Sequence, residues 1–167
     1  MTKFAWSVLA LALLGAPAAA RAGGLLELSV GSGARIDPSP TERIPTNVML
    51  TAGYGFADML KLELGAVANL GDVEDSKFDV DLRPMLVVSP PLFPVYLRGI
   101  MTVNSLVEEP VKIGYGGALG VRLGVMGLGA FVEAGVLARI VEVPDAAGVT
   151  HDKTFTIVEG RIGGYWD

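Results

Sequence analysis

Cysteine is missing altogether from the 167 residues, which excludes disulfides and thiolate metal sites. Histidine occurs once, at His151, so no imidazole cluster can bind a metal. No phosphate loop or other cofactor motif is present, and no cofactor is expected. Basic side chains are outnumbered, with 13 Lys and Arg against 18 Asp and Glu. That balance argues against nucleic acid as a partner, because its phosphates demand the opposite sign. Long apolar runs are scarce as well. After the first 22 residues no stretch is long and apolar enough to cross a membrane as a helix.

Those first residues, MTKFAWSVLALALLGAPAAARA (1–22), combine Lys3, an apolar stretch and Ala20-Arg21-Ala22 before Gly23. This is the layout of a secretory signal peptide with an A-x-A cleavage site. Cleavage would remove Lys3 and Arg21, leaving 11 basic residues against 18 acidic, a mature net charge of −7. The expected organisation is a signal peptide over 1–22 and one domain over 23–167.

What the chain does have is alternation. In KFDVDLRPMLVV (77–88) the charges Lys77, Asp79, Asp81 and Arg83 take every second place, with apolar residues and Pro84 between them. Strict alternation predicts a strand with one polar and one apolar face. Period-2 segments bounded by turn residues recur over 25–35, 47–56, 59–70, 77–89, 94–106, 111–125, 128–143 and 153–166. No linker, low-complexity tract or helical pattern interrupts them. An all-β domain of eight antiparallel strands follows. The connections alternate too: longer ones follow the odd segments and tight ones, centred on AD, PPLF and MG, follow the even segments.

The charges keep phase within their segments, except Glu142 at the very end of the seventh. Glu27 and Arg35, Lys61 and Glu63, Lys112 and Arg122, Glu133 and Arg139, and Glu159 and Arg161 each share a face, and Arg98 stands alone in its segment. Three observations put that face inside. The other face carries large aliphatics such as Leu62, Leu64, Leu119, Val132 and Val136. Eight strands enclose a lumen that side chains only just fill, and these residues would overfill it. The charged face also carries many glycines, among them Gly31, Gly53, Gly65, Gly120 and Gly163, which leave room for long Arg, Lys and Glu side chains. Aromatic residues gather near segment ends: Phe56, Phe93, Tyr96, Phe131, Tyr165 and Trp166 at the tight turns, Phe78, Tyr115 and Phe155 at the longer loops. Aromatic girdles at two membrane interfaces have that distribution. The expected architecture is an up-and-down transmembrane β-barrel with aliphatics facing lipid.

Charges turned into a narrow lumen must pair, because an isolated buried charge costs several kcal/mol. The expected structural network comprises Glu27, Lys61, Glu63, Asp79, Asp81, Arg83, Arg98, Arg122, Glu133, Arg139, Glu159 and Arg161. Two readings fit it: a polar plug that fixes register, and a path for protons or small ions. The narrowness of an eight-stranded lumen favours the plug. Outside, Asp37, Glu42, Asp72, Glu74, Asp75, Glu108, Glu109, Glu142, Asp145 and Asp152 face only Arg43 and Lys153, so ten acids against two bases give −8. A soluble rim explains this. Divalent cations that bridge lipopolysaccharide phosphates are the alternative, although DVEDS (72–76) lacks a calcium-loop pattern. No metal site is expected.

Near the C-terminus, Arg161-x-Gly163-x-x-Trp166 resembles the polar-x-Gly-x-x-aromatic signal read by the barrel assembly machinery. The whole segment pattern resembles the small eight-stranded outer-membrane barrels of the OmpA/OmpX type in Gram-negative bacteria. The chain departs from that family by closing on Asp167 rather than an aromatic residue. The resemblance implies an outer-membrane location with both termini in the periplasm, contact with lipid and lipopolysaccharide, and envelope protein partners. No catalytic residues are expected, because no local motif joins a nucleophile to a base. The expected role is non-enzymatic, in envelope structure or as a docking subunit.

Two other classes stay open. A lipid A-modifying enzyme would need a nucleophile, a base and an orienting acid. Only His151, beside Asp152 and eight residues before Glu159, offers a base, and no local motif links it to Ser76 or Ser105. A solvated loop histidine is the favoured account of it. A soluble periplasmic lipid-binding barrel is the third class.

Overall fold

Alternation becomes pairing throughout the domain. The computed structural model describes residues 23–37, 41–57, 59–70, 80–90, 92–104, 112–144 and 150–167. Eight strands run in chain order: β1 (Gly24–Asp37), β2 (Glu42–Ala57), β3 (Leu60–Leu70), β4 (Val80–Val88), β5 (Val95–Asn104), β6 (Lys112–Val125), β7 (Leu128–Pro144) and β8 (Thr150–Trp166). Each pairs antiparallel with the next, and β8 returns to β1 to close the barrel. Closure satisfies the backbone groups that an open sheet edge would leave unpaired. This is the expected fold class. Residues 1–22, Lys77, Phe78, Asp79, DVEDS (72–76), Ser105, Glu108, Glu109 and Asp145 lie outside the described residues.

The pleat sorts the side chains as their phase predicts. Leu28, Val30, Leu62, Leu64, Leu97, Leu119, Val132 and Ile162 are exposed on the outer face, whereas Glu27, Glu63, Arg98 and Arg161 are buried. The molecule is apolar outside and charged within. That is the reverse of a protein folded in water, where apolar burial drives the interior together.

Three details differ from the expectation or add to it. First, β2 begins at Glu42, so Glu42 and Arg43 belong to a strand rather than to the first loop. Between the pairs Gly31↔Asn47 and Gly33↔Ile44 the register shifts, so that Pro45 and Thr46 oppose the single residue Ser32. Proline lacks the N–H a ladder needs, and a bulge is where a sheet accepts it. The extra residue reverses the phase of β2, and Glu42 lies directly opposite Arg35 in register.

Second, the β7–β8 hairpin outreaches its neighbours. β6 pairs with β7 as far as Tyr115↔Ala138, and β1 pairs with β8 as far as Asp37↔Thr156. Among the described residues, six further pairs, from Arg139↔Phe155 to Pro144↔Thr150, form a two-stranded ribbon on the loop side. At about 3.4 Å per residue it adds roughly 20 Å.

Third, the β6–β7 connection is a two-residue turn closed by Val125↔Leu128, with φ of 54° at Met126 and 79° at Gly127. Two positive φ values mark the type I′ turn that matches strand twist. Asn or Gly is the usual first residue there, and a methionine is strained. Met126→Asn is expected to raise unfolding stability by about 1 kcal/mol, measurable as a shift in the urea midpoint of the protein refolded in detergent.

Candidate functional site

Inward positions on β1, β3, β4, β5, β6, β7 and β8 converge on one ionic cluster. At its centre is Arg98 of β5, whose side chain is fully buried. Its Nη2 lies 2.9 Å from Glu27 Oε2 and 2.8 Å from Glu63 Oε2, and its Nη1 lies 2.7 Å from Glu133 Oε2. Arg122 shares two of these carboxylates: it pairs with Glu27, and its Nη2 stands 3.4 Å from Glu63 Oε1. Tyr96 Oη donates to Glu133 Oε2 at 2.7 Å.

The cluster continues across the barrel. Arg161 Nε is 3.7 Å from Glu133 Oε1, and Arg161 also pairs with Glu159. Arg83 grips Glu159 in a fork, Nη1 to Oε1 at 3.0 Å and Nη2 to Oε2 at 3.1 Å. Arg161 further donates to Ser29 Oγ at 3.2 Å and Asn47 Oδ1 at 2.6 Å. Four glutamates (27, 63, 133, 159) therefore meet four arginines (83, 98, 122, 161), and the set is neutral. Every base in it is arginine. A planar guanidinium serves several carboxylates through five fixed donors, where a lysine ammonium presents a point charge.

Two further pairs stand apart. Arg139 Nη2 contacts Asp81 Oδ1 at 3.0 Å towards the loop side. Lys61 Nζ is 3.6 Å from Asp167 Oδ2 at the turn side, both partly exposed. The Nε–H groups of Arg83, Arg98 and Arg122 and the hydroxyls of Thr51 and Thr102 have no hydrogen-bond partner within the described protein. Buried water ordinarily meets such needs.

Sequence reasoning missed the apolar half of the lumen. Leu25, Val87, Tyr96, Phe131 and Tyr165 form one buried cluster, each within four residues of the turn end of its strand. Met49, Val67, Met85, Ile100, Ala118, Leu137 and Ile157 form another. Tyr96, Phe131 and Tyr165 were expected in the girdle, yet they point inward. The Arg122 guanidinium lies over the rings of Tyr96 (4.7 Å) and Tyr165 (5.1 Å), and Arg98 over Tyr96 (5.2 Å). Phe155, expected in the loop-side girdle, lies beneath Arg35 at 4.7 Å. Cation–π contact offsets part of the desolvation of these arginines. The signal was available in the sequence: positions 96, 131 and 165 share parity with Arg98, Glu133 and Arg161. Among the described residues, Tyr54, Phe56, Phe93 and Tyr115 are the aromatics that stand well exposed outside.

Glycine makes the room. A Cβ on Gly120 would lie 2.3 Å from Tyr96 Cζ and 2.5 Å from its Oη. The ring cannot yield freely, because Glu133 and two guanidinium groups hold it. Gly120→Ala is expected to destabilise by about 1–3 kcal/mol, read from the urea midpoint. Removing the hydroxyl in Gly120→Ala/Tyr96→Phe eliminates one of the clashing atoms and unties the ring from Glu133, so the ring can shift and part of the loss should be recovered.

The three residues of the C-terminal motif are also occupied in the folded barrel. Arg161 is in the ionic cluster, and a Cβ on Gly163 would meet Ser29 Cβ at 2.6 Å and Phe131 Cε1 at 2.8 Å. Trp166 ends β8 on the outer face, 38% exposed and paired with Leu26 and Leu128. His151 and Asp152 are exposed on the projecting ribbon. Glu159, the acid considered for them, faces the interior and is held by Arg83 and Arg161.

This architecture resembles the crystal structure of Neisserial surface protein A, with a TM-score of 0.60 at 13% identity over 86% of this chain and 96% of that one. Two Pseudomonas aeruginosa structures also align, each with a TM-score of 0.49. The N-terminal β-barrel domain of OprF is 9% identical over 86% of this chain and 98% of that one. The outer membrane protein OprG is 15% identical over 87% and 95%. At such identities the likeness is one of fold, a small closed antiparallel β-barrel. No protein-family model matches the chain, and no curated sequence does.

Proposed function

We propose that this chain is a non-enzymatic outer-membrane β-barrel of a Gram-negative envelope, spanning the membrane with both termini in the periplasm. Its role is structural, or that of a docking subunit for envelope proteins. The observation that carries the reading is the inverted polarity. The outer face is apolar over the described strands, while glutamates and arginines are buried and paired within. In water such a face would be a large aggregation surface, and in lipid it is the required solvent. The fold shared with Neisserial surface protein A is consistent with it.

The interior acts as a plug. A neutral ionic cluster flanked by two apolar clusters leaves little width for a solute. Outer-membrane lipid and lipopolysaccharide are the contacts this reading requires. Assembly through the C-terminal motif by the barrel assembly machinery belongs to the same reading.

Native extraction in mild detergent, with a tag in the loop near Gly148 and the C-terminus free, tests it. The folded barrel should migrate differently on gels before and after boiling. A product that stays soluble without detergent would instead make it a periplasmic barrel. Stoichiometric co-purifying proteins would identify a docking role. An altered lipid A profile that reverts in His151→Ala would replace the non-enzymatic reading by the enzymatic one.

A further inference from the structure

The turn end of the barrel is unlike the loop end. On the described loop side Asp37, Arg43, His151, Asp152 and Lys153 are exposed. At the turn side the described charges are Lys61 and Asp167, which face each other at 3.6 Å. Two of the three turns, β4–β5 and β6–β7, are apolar at their tips, while the β2–β3 turn carries Asp58 in its sequence. Leu92 is 86% exposed, Phe93 66% and Met126 99%. A water-facing turn would carry Asn, Gly, Asp or Ser there.

The backbone at these tips is economical in free donors. The segment 90–94 reads PPLFP, so three of its five residues have no N–H. Phe93 N–H donates to Pro90 O at 3.3 Å, and Pro94 O accepts from Arg122 N–H at 2.7 Å. At the neighbouring tip Gly127 O accepts from Asp167 N–H at 3.0 Å. A turn with few unmet donors loses little on leaving water. Met126 adds a separate argument. A residue with positive φ is costly for methionine and normally goes to Asn or Gly. Strain kept for a side chain that touches almost nothing in the protein points to something outside the protein that the side chain touches.

We propose that the turn tips, through Leu92, Phe93 and Met126, are seated in the glycerol and headgroup region of the phospholipid leaflet on the periplasmic side. This rests on the membrane-spanning reading. The occupant is lipid because the patch is continuous with the belt: Phe56, Met59 and Val125 are exposed beside it on the same outer surface. The tips then anchor the barrel's depth, and the unequal ends make it sit low, with the β7–β8 ribbon standing clear on the opposite side.

The absence of native cysteine makes the test direct. Single-cysteine variants Leu92→Cys and Met126→Cys are labelled with an environment-sensitive fluorophore in phosphatidylethanolamine–phosphatidylglycerol vesicles. Leu119→Cys marks the middle of the belt, and Asp152→Cys marks water. Label at 92 and 126 should emit to the blue of label at 152, be quenched by lipids carrying a shallow spin label, and resist aqueous iodide. Iodide quenching at 92 and 126 equal to that at 152, with 119 protected, overturns the seating and leaves the membrane reading intact. Iodide access at 119 overturns the membrane reading itself. Tips open to iodide in vesicles but protected in whole envelopes would assign the patch to a protein partner, and would also overturn the proposal.

Discussion

Arg98→Leu is expected to lower the stability of the folded barrel by about 3–5 kcal/mol, more than any other single substitution considered. The loss is not that of one contact. Glu27, Glu63 and Glu133 all lie within 2.9 Å of this guanidinium, and removing it leaves three carboxylates in a space from which water is largely excluded. Arg122 can take up part of the charge of Glu27 and Glu63, but Glu133 would keep only Tyr96 and the longer contact to Arg161. Urea titration in detergent, followed by the gel-mobility difference between folded and unfolded forms, measures the change. Arg98→Lys should lie between wild type and Arg98→Leu, since charge is kept but the fork is lost. Adding Glu133→Gln to Arg98→Leu should restore part of the stability, a non-additivity that two independent sites would not show. Lys61→Leu is the control. Its pair with Asp167 is partly solvated, and the change should stay within about 1 kcal/mol.

Leu119→Arg tests the other face and separates the two environments it could occupy. Leu119 stands exposed near the middle of β6, between Leu97 and Ala134 on the flanking strands. If lipid covers it, an arginine there costs about 2–4 kcal/mol. If water covers it, the same substitution changes stability by at most about 0.5 kcal/mol. Folding titrations in vesicles discriminate these values. A near-zero cost in a bilayer would remove the membrane-spanning reading, whatever the interior network does.

How far the sequence could be read depended on which property was local. Phase is local, and parity alone sends Glu27, Glu63, Asp81, Arg83, Arg98, Glu133, Glu159 and Arg161 to one side of their strands. Parity also sends Tyr96, Phe131 and Tyr165 there. Grouping aromatics by their distance from strand ends concealed that, because a side chain near an end can cap the lumen as well as meet the interface. The bulge was not legible for a different reason. Pro45 looks like a loop residue until Thr46 is seen to pair with Leu70 and Asn47 with Gly31, and the phase reversal places Glu42 opposite Arg35. Which acid meets which base was out of reach altogether. The match of Arg83 to Glu159, or of Arg98 to three glutamates, depends on the stagger with which eight strands close, a quantity set by the whole ring.

The separations within the ionic cluster carry a kinetic meaning. Arg98 meets Glu133 across 35 positions and Glu27 across 71, and Arg161 meets Ser29 across 132. Before β8 reaches β1, the lumen is an open trough in which each of these groups is hydrated and the attractions are weak. The ionic contacts are therefore expected to mature after the rate-limiting alignment of the strands: in folding and unfolding kinetics, Arg98→Leu should leave the folding rate nearly untouched while accelerating escape from the closed state. A barrel with this interior is expected to resist opening by a high exit barrier, and its lifetime then depends on how slowly the seam between its first and last strands parts.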